Sequence, residues 1–128
     1  MSAKSNYLEG KLIEHVLRNV SYTSPSAVHL SLHTANPAED ASGTEVSGSG
    51  YGRQPIAFGA HSDGACSNSA VEEFTASGGS FGTVTHFGIF DASSSGNLLY
   101  YGALTASKVV ADGDTLKFAI GSITITEA

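Results

Sequence analysis

The sequence predicts a mainly β fold: a single antiparallel β-sandwich or barrel-like domain spanning residues 1–128, with one N-terminal amphipathic α-helix. Three observations predict it. Apolar residues recur at helical spacing only between residues 5 and 22. From Ala27 onward the period drops to two, as a strand with one buried face requires. Roughly six to eight short runs of this kind then follow at regular spacing, divided by Gly, Ser, Asn and Asp turns.

The helix is expected over residues 5–22, with Asn6 able to cap it and Glu9 three residues on. Leu8, Leu12, Ile13, Val16, Leu17 and Val20 form its apolar stripe, and Lys11, Glu14 and Arg18 lie on the other side. Such a stripe needs an apolar partner, either the chain's own sheet or a neighbouring subunit.

In the first strand Val28, Leu30 and Leu32 share one face and His29, Ser31 and His33 the other, until Asn36-Pro37 stops it. Residues 36–52, NPAEDASGTEVSGSGYG, form a polar loop longer than most connections in a compact domain, and such loops are usually functional or mobile. Strands are expected at 54–58, where Pro55 implies an edge, and near 71–74. Residues 82–90 make the clearest strand, joined through the turn 91–97 to a partner over 98–104. A second hairpin is expected from 108–110, the turn 111–114 and 115–120. Gly121-Ser122 interrupts the alternation before Ile123 and Ile125, which predicts a bulge or a bend.

Composition excludes several classes of function. Six basic against twelve acidic residues give a net charge of −6, without the basic stripe that nucleic-acid binding requires. The chain has no signal peptide and no apolar run of about 20 residues, so neither secretion by that route nor a membrane span is expected. Cys66 is the sole cysteine, which forbids an intramolecular disulfide and fits a reducing compartment. Only 14% of the residues are charged, and a surface of small uncharged side chains suits a protein that lies against other subunits and, on composition alone, equally a weakly charged monomer.

GGSFGTVTHFGIFD, residues 78–91, contains a G-x-S-x-G pattern, a histidine and an aspartate. A nucleophile elbow needs a helix after the serine, and here a strand follows Ser80. On that strand His86 and Asp91 point to opposite faces, roughly 16 Å apart, and cannot form a relay. His29 and His33 would share a metal on a helix but not on a strand. Gly48-Ser49-Gly50-Tyr51-Gly52 leaves a loop and opens no helix, so it reads as a turn. Residues 91–96 mimic half a calcium loop, but Gly102 stands where its bidentate glutamate belongs. No catalytic set, metal site or cofactor loop survives, and the chain reads as no enzyme.

The ordered set LSLHTANP at 30–37, EVSGSGYGRQ at 45–54, GTVTHFGIFD at 82–91 and GNLL at 96–99 resembles a family of small bacteriophage virion proteins. Its members are labelled tail-fibre, head-fibre or capsid-decoration proteins, and the likeness extends from the N-terminal helix to GDTLKF at 113–118. In such a protein Tyr51 would anchor the glycine-rich loop, and the Arg53 guanidinium would hold a carboxylate such as Glu45 at two points. His86 is expected to face the core and bond neighbouring backbone, with Gly88 leaving room for Tyr100 or Tyr101.

The resemblance implies a non-enzymatic capsid decoration, or cement, protein on the outer capsid surface of a virion assembled in the bacterial cytoplasm. Its expected partners are the major capsid protein and copies of itself, as a homotrimer, with no nucleic acid, membrane, metal or cofactor. Contacts are expected from the N-terminal segment and the 36–52 loop, with Asn6, Tyr7, Leu8, Glu45, Tyr51 and Arg53 as candidates. A tail-fibre or baseplate component is the first alternative. A carbohydrate-binding module stacking glycans on Tyr51, Tyr100 and Tyr101 is the second, and the absence of tryptophan weighs against it.

Overall fold

The computed structural model describes residues 2–127. Its helix, α1 (Asn6–Leu17), is capped by Ser5 rather than Asn6. Ser5 has an extended backbone, φ −75° and ψ 162°, and its Oγ accepts from the Leu8 amide at 3.2 Å. The same hydroxyl donates to the Leu98 carbonyl, which ties the helix start to the sheet. The helix stops at Leu17 instead of running to 22. Asn19 turns left-handed, φ 57°, and the Val20 amide returns to the Glu14 carbonyl at 3.0 Å, a second bond to the oxygen that already accepts from the Arg18 amide, which folds the chain back on the last turn.

Nine strands are present among the described residues: β1 (Ser2–Lys4), β2 (Val28–His33), β3 (Gln54–Ile56), β4 (Ala65–Ser67), β5 (Glu72–Thr75), β6 (Gly82–Phe90), β7 (Leu98–Val110), β8 (Thr115–Phe118) and β9 (Thr124–Thr126). Five form an antiparallel sheet in the order β1-β7-β6-β2-β3, while β4 pairs with β9 and β5 with β8 as two-stranded ribbons. β3 takes the edge that Pro55 demands, since a proline cannot donate to a ladder on both sides. Leu30, Leu32, Val84, Phe87 and Ile89 of the large sheet meet Phe74, Leu116, Phe118, Ile123 and Ile125 from the ribbons in one core. The second layer is two separate ribbons rather than one sheet, and no sheet closes into a barrel among the described residues.

Several strands depart from their sequence pattern. β2 is buried on both faces from Leu30 to His33 instead of being half-buried: Leu30 and Leu32 face the core, while on the other face Phe90 stacks on His33 and Glu45 of the 36–52 loop bridges to it. β7 runs unbroken to Val110, since Val109 and Lys108 pair with Thr83 and Val84 of β6. The expected hairpin of 108–110 with 115–120 therefore does not form, and β8 pairs with β5. The break at 121–122 is a turn between ribbons, with Gly121 at φ 82°, not a bulge within one strand. The β6–β7 register shifts between Val84 and His86, where residues 104–107 of β7 bulge out without partners on β6, and across this irregularity Val84 and Phe87, three apart, are both buried.

Candidate functional site

The 36–52 loop is tied down by its own sequence. The Asn36 and Asp40 side chains accept from the Ala38 and Ser42 amides, short turns that compact the segment. Val46 is buried in the core, and its amide bonds the Leu32 carbonyl at 2.9 Å. Tyr51 then anchors the far end. Its ring lies between Phe74, centroids 6.0 Å apart, and Phe81, 5.8 Å away edge-on. Its hydroxyl accepts from the Leu32 amide at 3.1 Å and donates to Glu45 Oε2 at 2.6 Å.

Arg53 completes this cluster as the sequence expects. Nε and Nη2 each reach a Glu45 carboxylate oxygen at 2.8 Å, and Nη1 donates to the carbonyls of Ala92 and Ser95 in the β6–β7 turn. The guanidinium carbon sits 3.7 Å from the centre of the Phe90 ring. Burial pushes the Glu45 pKa upward, but the hydrogen bonds from Arg53 and Tyr51, with the Arg53 charge, outweigh it and hold the carboxyl below its ordinary value. The Phe90 ring in turn stacks on His33, which is buried and bonded through Nε2 to Ser31 Oγ at 2.9 Å. Desolvation lowers the His33 pKa to about 4, against a smaller upward pull from Glu45.

At the N-terminus, β1 adds itself to the edge of β7, and the Asn6 amide bonds the Glu39 carbonyl at 2.9 Å. The two segments expected to make contacts thus meet. Asn6, Tyr7, Glu39, Asp40 and Ala41 border one hollow together with Gly96 and Asn97. Asn6 is exposed and Tyr7 half-buried, whereas Leu8 is buried in its own chain and the Arg53 side chain is 7% exposed. Leu8 and Arg53 therefore serve the fold, which leaves Asn6 and Tyr7 to offer surface, while the half-buried Glu45 and Tyr51 are engaged with each other and, through Glu45, with Arg53. Helix α1 buries only Leu8; Ile13, Val16 and Leu17 face outward, so its own sheet covers only the start of the stripe.

The remaining candidates have structural duties. Ser80 Oγ donates to the Val110 carbonyl at 2.8 Å, and Asp91 accepts from both the backbone and side-chain amides of Asn97, closing a hairpin turn. His86 is half-exposed and bonds the Thr85 hydroxyl at 2.8 Å, not neighbouring backbone as expected. The space beside Gly88 is taken by Ser31, His33 and Leu98, none of them a tyrosine. No three His, Cys, Asp or Glu residues among those described are grouped to hold a metal ion. The three tyrosines of the glycan alternative do not form a platform: Tyr51 is packed inside, and Tyr100 and Tyr101, successive on β7, point to opposite faces. An apolar cavity lined by Val28, Phe58, Cys66, Leu99, Tyr100 and Ile125 was not foreseen, because its wall draws on segments far apart in the chain.

No curated protein matches the chain significantly. A family profile does: Gp80, described as podophage GP4 fiber I protein gp80, matches residues 3–126. With all but two residues at each end matched, the chain belongs to this podophage fibre protein family.

Proposed function

We propose that the chain is a non-enzymatic structural subunit of a podophage virion, built into a fibre and working through contact with neighbouring subunits. The observation that carries this reading is the family match over residues 3–126, whose description names a fibre protein. The geometry supports it. Ser80 and Asp91, the hydroxyl and the acid of the 78–91 stretch, are engaged in backbone and turn bonds, while Ile13, Val16 and Leu17 form an outward apolar face. A subunit of this kind acts by mass action: covering apolar surface in the assembled state shifts the balance toward that state.

The capsid-decoration reading shares this mechanism and differs in address. The joining of the N-terminal segment to the 36–52 loop at Asn6 and Glu39 favours it, because one continuous edge would then sit across a junction of major capsid subunits. Gold-labelled antibody against the chain, applied to intact particles, separates the two. Label at the tail supports the fibre reading and label over the head supports decoration. Purified particles with no detectable copies of the chain would refute both.

A further inference from the structure

His33, 2% exposed, closes β2, and the hydrogen bonds around it fix its tautomer. The Ser31 hydroxyl has one proton and donates it to the Gly88 carbonyl at 3.0 Å. Its 2.9 Å bond to His33 must therefore run from Nε2–H to Oγ. That leaves Nδ1 as the unprotonated nitrogen, and Nδ1 is buried without a hydrogen-bond partner among the described residues. A second proton has to enter there.

The surroundings offer that proton little. Glu45 of the 36–52 loop forms a backbone bridge with His33, but its carboxylate is already committed to Arg53 and Tyr51. The Gly43 carbonyl draws a proton toward the ring without bonding Nδ1. Arg53, just before β3, and His86, directly opposite on β6, oppose a further positive charge. His29 shares this face of β2 and Tyr101 of β7 stands beyond Gly88, and neither supplies a carboxylate.

Gly43 belongs to a strap, residues 38–44, that the fold holds loosely. None of its side chains is buried. Ala38 and Ala41 both sit left-handed, at φ 62°, a conformation that costs a residue with a Cβ about 1 kcal/mol. Beyond the turns within 36–43, its backbone ties to the rest of the fold are the Thr34 amide on the Thr44 carbonyl and the Asn6 amide on the Glu39 carbonyl. The residues that follow are pinned instead, by Val46 in the core and by the bonds of Tyr51 and Arg53. Desolvation holds the His33 pKa at about 4 with the strap closed, and water admitted beneath a lifted strap would return it toward 6.5.

We infer that the 38–44 strap is an acid-released latch with His33 as its trigger: a proton on Nδ1 lifts the strap from Thr34 and Asn6 while the β-core stays folded. Because Asn6 opens α1, release also parts the loop from the N-terminal segment. The device works in the free chain, whatever its place in the virion.

Amide hydrogen exchange of the purified protein at pH 7 and pH 5, with the intrinsic pH dependence of exchange divided out, is the test. Opening at the Thr34 and Asn6 amides is expected to rise about 20-fold at pH 5, while the amides of β6 and β7 keep their protection. His33→Gln, whose side-chain amide can still donate to Ser31, is expected to abolish the rise. His86→Gln, at a half-exposed position, is expected to keep it. Unchanged opening in the wild type, protection lost throughout the sheet, or a rise that persists in His33→Gln or vanishes in His86→Gln would overturn the inference. So would slower exchange in acid, because the new proton would then bond the Gly43 carbonyl and tighten the strap. The wild-type and His86→Gln measurements decide the matter even where His33→Gln fails to fold.

Discussion

Arg53 grips Glu45 at two points, Nε and Nη2 each 2.8 Å from a carboxylate oxygen, in the planar fork geometry that lysine cannot reproduce. Because Nη1 also holds the Ala92 and Ser95 carbonyls, this one side chain joins the end of the 36–52 loop to the β6–β7 turn. Arg53→Lys keeps the charge and loses the fork, both carbonyl bonds and the stacking on Phe90. It is expected to cost about 2 kcal/mol, read from the urea midpoint. A loss under about 0.5 kcal/mol would mean the cluster is ornamental to stability.

Tyr51→Phe tests the loop anchor separately. The ring stays between Phe74 and Phe81, but the Leu32 amide and the Glu45 carboxylate each lose a partner. The expected cost is about 1–2 kcal/mol by chemical denaturation. Faster proteolysis within residues 36–52 than elsewhere would locate the loosening in the loop.

Gly88→Ala tests packing on the second face of the sheet. A Cβ there would stand 2.7 Å from Ser31 Oγ and 3.0 Å from both His33 Nε2 and Leu98 Cδ1, with little freedom for any of the three to move. Overpacking of this kind is expected to cost about 1–3 kcal/mol, visible as a lowered Tm.

Acid should loosen the fold through His33. The unfolded side chain takes a proton near 6.5, while the folded one resists until about 4. Its contribution is therefore complete above pH 6.5 and lost as pH falls toward 4, amounting to about 3 kcal/mol. Glu45, whose folded pKa is depressed, adds loss of the same sign at lower pH. Urea midpoints measured between pH 7 and pH 4 should fall accordingly, and His33→Gln should flatten the slope. An equally steep slope in that variant would assign the effect to other groups.

What the sequence made legible were features whose cause is local. Residues 82–90 alternate between glycine-bearing turns and form β6 with the expected bounds; Pro55 placed β3 at an edge; Glu45, Tyr51 and Arg53 came together as their chemistry suggested. What stayed hidden depends on distant partners. β1 is three residues without a pattern, made a strand only by pairing with β7, and the unpaired bulge of β7 over residues 104–107, after which Lys108 rejoins β6, left no mark in the sequence. Alternation fixes which face a residue takes but not which strand lies beside it, so the pairing of β8 with β5 was invisible. The stripe on α1 was plain, yet whether the chain covers it depends on where the helix stops and docks.

A cryo-EM reconstruction of the particle, resolved well enough to trace side chains, tests the central claim most directly. The account predicts this fold within the tail fibre, with Val16 and Leu17 covered by protein. Copies with both α1 and the 36–52 loop bare to solvent, or a particle containing none, would contradict it.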